Sequence, residues 1–555
     1  METLSGRRVR MRAQDAALAR TDAEAWQQLL RARGLAPDSR FFRPRLADLP
    51  DPAGLRDALR AAERIADAVV RGEPIHVFGD FDCDGVAGTA LLVQALMDLG
   101  ARVSWSVPDR SADGHGIPIE AVLEAVASGA CVGIAVDTGS AAHEAAQAAS
   151  SSGMDLIVCD HHAVSDPPRV YALVNPARDD CGFADRVLCG TGVAFFVLMA
   201  VVRLLREKGH APAQALDLRP LLPLVALATV ADVMPLVGVN RILVARGLVW
   251  ARHVRPVGVA ALAASARRPI GALTSEDLAF YLAPRINAAG RMRDGAEAVR
   301  LLLARDPEQA KRLAAKLEAD NRRRQKVQAE VARAAARRLG GEGLAACDPA
   351  WHLGVIGLAA GSLARARGVP IAIGSGDPKA TVRVSVRAPS GWDVHALLTD
   401  CAPTLESYGG HAGAGGGVVR AGMWEAFVEC FQAAVRAQRA RWQPPAWEVD
   451  GRLTGAAITL QLAEQVSLLE PTGHGNPPAR WLLVGEPIVA RQALARGAMR
   501  MRLGAARVEA VAFSASSWEE ALAVGAAPRL VGRVERNTWG GVPRVQFVVE
   551  DVIPG

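Results

Sequence analysis

Between residues 75 and 159 the chain alternates short apolar runs with longer stretches of helical spacing. The runs 75–78, 132–136 and 156–159 are nearly continuous in apolar residues, and 103–107 alternates Val, Trp and Val with two Ser. The stretches between them, 86–99, 119–127 and 141–149, read as helices. Strands that are apolar on both faces and separated by helices predict a parallel α/β sheet. After Val187 the pattern is mostly helical to about Arg305. Residues 306–339 then read as one long helix. Asp306 can cap it, Pro307 falls in the first turn where its missing N–H is harmless, and no Gly or Pro follows. That helix carries the basic cluster Arg322, Arg323, Arg324 and Lys326. A second α/β region runs from about Gly340 to Arg441. Gln443-Pro444-Pro445 reads as a linker, and short alternating strands with turns then predict a small β-barrel. Residues 1–50 are Arg-rich and irregular, apart from a helical stretch at 23–33.

A chain of 555 residues exceeds a single hydrophobic core. The expected division is an N-terminal extension (1–50), a parallel-sheet domain (51–305), a connecting helix (306–340), a second α/β domain (341–442) and a C-terminal barrel (446–555). The formal charge, 64 − 58 = +6, is modest for this length and is compatible with a polyanionic partner without requiring one. Eight cysteines stand without any CxxC pair, mostly inside apolar runs, which reads as a reduced, intracellular, cytoplasmic chain. Residues 193–202 are too few to cross a bilayer, and Asp232 and Pro235 interrupt the apolar run 221–239, so no membrane segment is expected. The basic N-terminus lacks the apolar stretch of a secretory signal.

The acids are informative through their position relative to the strands. Asp80, Asp82 and Asp84 directly follow the first strand. Asp137 follows the third, and Asp160-His161-His162 follows the fourth. In an open parallel sheet these ends face one crevice. Several ionised carboxylates cannot share a dry crevice unless a cation neutralises them, and carboxylates with imidazole suit Mn²⁺ or Mg²⁺. Asp232, in an otherwise apolar run, needs a partner for the same reason. The alternative for any single acid is a helix cap or turn. A calcium loop is excluded, because Leu91 stands where its twelfth-position Glu should be and a strand precedes the run.

The motifs Gly79-Asp80-Phe81-Asp82-Cys83-Asp84-Gly85, Val136-Asp137-Thr138-Gly139 and Asp160-His161-His162 resemble those of the DHH phosphoesterases. The run Ala228–Leu236 is similar to that family's fourth acidic motif. Further downstream, 284–292, 351–357, 409–412 and 469–477 resemble the branch of the family that degrades single-stranded DNA. This resemblance implies a DHH domain, a DHH-associated domain and an OB-like barrel. It also implies a 5′-to-3′ exonuclease of single-stranded DNA acting in recombination and repair. Asp82, Asp84, Asp137, His161 and Asp232 would hold two divalent cations, Mn²⁺ or Mg²⁺, with Asp137 bridging. Many relatives carry a His shortly before the first metal-binding Asp; Phe78 and Gly79 stand there instead, and Asp80 is the candidate substitute. His162 would meet the scissile phosphate or help proton transfer.

The same resemblance assigns Arg285, Asn287, Ser385, Arg387, Gly409, Gly410 and His411 to phosphate binding, and Arg110 is a further candidate. Arg285 also stands, with Asp137 and His162, among the expected catalytic residues. Val384 and Val386 occupy positions where relatives carry glycine, which argues against close approach of a DNA backbone there. Trp481, Phe513 and Trp539 are candidates for base stacking, although core packing is the simpler expectation for each. His352 is open to two readings, a functional role or the cap of a helix starting near Gly354, with the cap slightly favoured. A monomer, with a single-strand-binding protein and a helicase as partners, completes the expectation. Two other readings remain open: hydrolysis of short oligonucleotides or cyclic dinucleotides, and a scaffold that binds single strands without cleaving them.

Overall fold

The computed structural model describes residues 1–13, 17–108, 116–292, 295–513, 515, 517–537 and 542–554. It forms two compact units. One comprises Pro44–Arg324 with Glu470–Pro477. The other comprises Met1–Arg43, Gln325–Leu469 and Pro478–Gly555.

The first unit holds a five-stranded, wholly parallel sheet. Its spatial order is Val103–Ser106, Ile75–Gly79, Val132–Val136, Asp155–Cys159, Ala172–Val174. The order of winding therefore reverses between Ile75–Gly79 and Val132–Val136, and such a switch point opens a crevice at the carboxyl ends of the strands. Side chains alternate across the sheet. Ile75, Val77, Ile134, Val136 and Ile157 pack into one core with the helices Cys83–Asp98, Gly190–Glu207 and Leu222–Ala231. Phe78, Ala135, Leu156 and Val158 pack on the opposite face, beneath Ile119–Ala127 and His143–Ser151. Helices on both faces explain why the central strands read as nearly unbroken apolar runs, while the edge strand Val103–Ser106 carries two serines and is only partly buried.

The long helix forms as expected. It spans Pro307–Leu339, and Asp306 Oδ2 accepts from the Gln309 N–H at 2.6 Å. Its residues are divided between the two units.

The second unit contains two main sheets. One is five-stranded, in the order Leu405–His411, Ala414–Val419, Val382–Arg387, Ile371–Ser375, Ala345–Cys347. It is antiparallel except for the last pair. The other is eight-stranded and mixed, running from Ile488–Ala493 to Leu18–Ala19. The N-terminal residues depart from the expected irregular extension. Val9–Met11 pairs with Trp447–Val449, and Leu18–Ala19 pairs with Gly451–Leu453. The helix Asp22–Arg33 buries Ala25 and Leu29 in the same core as Trp481 and Phe547. Strands of two or three residues show no readable period, and their partners lie near the other end of the chain. All eight cysteines are free, six of them buried. No helix among the described residues is long and apolar enough to cross a membrane.

Candidate metal centre

Each acid is placed by the end of an element. Asp82 caps the helix Cys83–Asp98, its Oδ1 accepting from the N–H groups of Asp84 (2.9 Å) and Gly85 (3.1 Å). Asp84, in the first turn and 1% exposed, accepts from the N–H groups of Gly190 (2.7 Å) and Thr191 (2.9 Å). Those donors belong to the first turn of Gly190–Glu207, where unsatisfied N–H groups favour an anion. Asp137 follows its strand in the left-handed region, at φ 61°, with its N–H bonded to the Cys159 carbonyl at 3.0 Å. Asp232 ends the helix Leu222–Ala231.

These ends converge. His161 Nε2 lies 3.1 Å from Asp137 Oδ1, 3.4 Å from Asp232 Oδ2 and 3.9 Å from Asp84 Oδ2. Ligand atoms of Asp84, His161 and Asp232 lie within 4.8 Å of one another, and so do those of Asp80, Asp82 and Asp137. Two triads thus adjoin through the contact of His161 with Asp137.

The electrostatics call for positive charge. Burial raises the Asp137 pKa well above the carboxylate range, and the charges of Asp84 and Asp82 raise it further. Burial pushes Asp232 up to about 8, again with help from Asp84 and Asp82. Asp232 Oδ2 is buried and makes no hydrogen bond. Burial lowers the pKa of His161, favouring the neutral imidazole that a metal needs. The grouped donors are carboxylate oxygens and imidazole nitrogens with no thiolate, a set that fits a hard divalent cation.

His162 differs from its neighbour. Its Nδ1 bonds Asp160 Oδ1 at 2.8 Å, and that hydrogen bond raises its pKa to about 9. Asp160 is 1% exposed. Burial opposes its charge, yet hydrogen bonds from His162 and Ser140 outweigh that and hold its carboxyl below the usual range. Asp160 was visible in the sequence motif, but its task of orienting His162 was not. His143, which had no motif context, lines a cleft of about 1050 Å³ together with Asp80, Asp137, Asp160 and His162.

Three domains of known families match in order along the chain. The N-terminal domain of the DHH family covers residues 74–229, the DHHA1 domain 340–437 and the RecJ OB domain 449–551. The single-stranded-DNA-specific exonuclease RecJ of Dickeya dadantii is 33% identical over 523 residues, covering 89% of this chain and 90% of that protein. This chain belongs to the RecJ family. RecJ of Haemophilus influenzae is 31% identical, with 95% of this chain and 96% of the relative covered. RecJ of Bacillus subtilis is 30% identical over 92% of this chain, which spans 65% of that longer relative. The crystal structure of RecJ with Mn²⁺ from Thermus thermophilus superposes with a TM-score of 0.79 at 29% identity, covering 98% of this chain and 79% of that one.

The remaining residues expected from the RecJ resemblance fall into distinct settings. Asn287 Oδ1 accepts from the Cys83 N–H at 2.8 Å, which ties it to the acidic loop. Arg285 is engaged within the protein: Nη1 donates to the Tyr281 carbonyl (2.6 Å), and Nη2 pairs with Glu318 (2.7 Å). Ser385 and Arg387 lie on Val382–Arg387 in the second unit, and Arg387 Nη1 donates to Ser385 Oγ at 2.9 Å. Val384 and Val386 alternate with them and are buried in that unit's core. The valines therefore face away from the surface that Ser385 and Arg387 present. Gly409, Gly410 and His411 are exposed on Leu405–His411. His352 caps Leu353–Arg367, accepting from the Gly354 N–H at 3.0 Å. Trp481 is fully buried and Phe513 is 64% exposed. Arg110 and Trp539 lie outside the described residues.

Proposed function

We propose that this chain is a divalent-cation-dependent exonuclease that hydrolyses phosphodiester bonds of single-stranded DNA from the 5′ end. The observation that carries the reading is the pair of adjoining triads at the switch point of a parallel sheet, in a chain of the RecJ family. Asp80, Asp82, Asp84, Asp137, His161 and Asp232 would hold the cations, with Asp137 between the two triads. Mn²⁺ or Mg²⁺ bound there supplies a lowered water pKa and neutralises charge building on the phosphate.

The protein's own groups do the rest. Gly190 and Thr191 fix Asp84. Asp160 accepts from Nδ1 of His162 and orients that ring, which leaves Nε2 free to meet a phosphate oxygen or the departing nucleotide. Asn287 steadies the loop that presents Asp82 and Asp84. Ser385, Arg387, Gly409, Gly410 and His411 would bind phosphates of the strand, and the surface carrying exposed Phe513 would add a stacking contact. The RecJ OB domain favours a long strand over a dinucleotide. The 5′-to-3′ polarity rests on the motif resemblance. The reading extends to a monomeric cytoplasmic repair enzyme assisted by a single-strand-binding protein and a helicase.

The test is incubation of the full chain with 5′-phosphorylated, end-labelled single and double strands, with Mn²⁺ and with chelator. Mononucleotides should be released from the single strand only, with the metal only. Asp137→Ala should abolish release while circular dichroism stays unchanged. Undiminished cleavage by that variant would overturn the reading.

A further inference from the structure

The turn after Asp232 is strained and held from outside. The helix Leu222–Ala231 closes with the Val233 N–H on the Val230 carbonyl (3.2 Å) and the Met234 N–H on the Thr229 carbonyl (3.1 Å). This is a Schellman closure, and its left-handed position normally holds glycine. Here that position is Val233, at φ 55° and 66% exposed. A β-branched side chain is disfavoured in this region, so something must hold the turn.

Residues 470–477 are what hold it. His474 Nδ1 lies 2.9 Å from the Val233 carbonyl, so Nδ1 is the donor, and the Leu236 N–H donates to the His474 carbonyl at 2.7 Å. The pair of bonds brackets Val233–Leu236 from one residue. Gly475 allows the approach: a Cβ there would lie 3.0 Å from the Cβ of Pro235. The segment is itself anchored. Buried Arg241 donates to the carbonyls of Glu470 (2.9 Å) and Pro471 (3.1 Å), buried Ser275 bonds the Thr472 carbonyl and Glu470, and Asn476 Nδ2 donates to the Pro471 carbonyl at 2.8 Å.

We infer that His474 is a positioning residue for the metal centre, clamping the left-handed Val233 so that Asp232 is presented to its cation. The inference rests on the reading of Asp232 as a metal ligand. His474 touches no reacting atom; it acts through the backbone carbonyl one residue beyond Asp232. Releasing the clamp lets the turn relax, and the carboxylate then spends less time beside His161.

The experiment is calorimetric titration of the full chain with Mn²⁺ alone, paired with thermal unfolding in chelator. His474→Ala should weaken Mn²⁺ binding by about three- to ten-fold, the range that one hydrogen bond contributes net, while metal-free unfolding stays cooperative and shifts by no more than that one bond accounts for. His474→Asn, whose amide nitrogen can take the place of Nδ1, should retain wild-type affinity. Val233→Gly in the His474→Ala background should restore affinity, because glycine occupies the left-handed region without strain. Unchanged Mn²⁺ affinity in His474→Ala overturns the clamp, as does a loss that neither His474→Asn nor Val233→Gly repairs. A wild-type chain that binds no Mn²⁺ overturns the metal-centre reading instead, so the two failures are distinct.

Discussion

The backbone N–H of Gly190 donates to Asp84 at 2.7 Å, so the first turn of one helix anchors an acid in the first turn of another. Gly190 also lies directly against Asp137: a Cβ at residue 190 would stand 2.6 Å from the Asp137 Cα. One glycine therefore sets the spacing of two acids from separate loops. Gly190→Ala should cost about 1–3 kcal/mol by overpacking. Because the displaced atoms are backbone at the metal centre, it should also remove Mn²⁺ binding. Thermal unfolding and Mn²⁺ calorimetry on the same preparation check both parts.

The bond between Asp160 and His162 predicts a separation of metal binding from turnover. Asp160→Asn removes the charged acceptor that holds His162 Nδ1, with little change in shape. Turnover on single-stranded DNA should fall about 10²-fold or more, the scale of a lost acid–base contribution. Mn²⁺ affinity should stay within a few-fold of wild type. Steady-state kinetics together with calorimetry would show it, and equal losses in both would contradict the role given to Asp160.

Val384 and Val386 offer a prediction of stability rather than function. Both are buried in the core of the second unit, facing away from Ser385 and Arg387. Replacing either valine with glycine should destabilise by about 2–4 kcal/mol, combining lost apolar burial with the chain entropy of glycine in a strand. Chemical denaturation measures this.

Glu470 predicts a pH dependence. Burial raises its pKa above the ordinary value, against the hydrogen bonds from Ser275 and Thr472. The folded chain therefore binds this proton more tightly than the unfolded chain. That contribution to stability is complete at pH below the ordinary glutamate range and is lost as pH rises through the raised folded value. Glu470→Gln should remove this slope and raise the melting temperature at neutral pH. Melting curves from pH 4 to 8 on metal-free protein would show a wild-type slope that the variant lacks.

Much of the centre was legible because parallel-sheet strands are short, apolar on both faces and end abruptly. The acids after residues 79, 136 and 159 therefore stood out, and sheet order alone brought them together. The cap at Asp306 and the role of His352 were equally local and equally readable. Non-local pairings were not. Arg285 stands beside Asn287 in a motif, yet its guanidinium meets Glu318, on the long helix that follows. Val9–Met11 and Leu18–Ala19 form strands only because partners near the far end of the chain receive them. The clamp on Val233 was hidden for the same reason, since no pattern around Asp232 shows that its turn depends on His474.

Crystals of the chain soaked in Mn²⁺ and recorded at the manganese absorption edge test the central claim most directly. The account predicts two anomalous peaks flanking the Asp137 carboxylate, one within reach of Asp80 and Asp82 and the other within reach of Asp84, His161 and Asp232. A map without anomalous density beside Asp137 would contradict it.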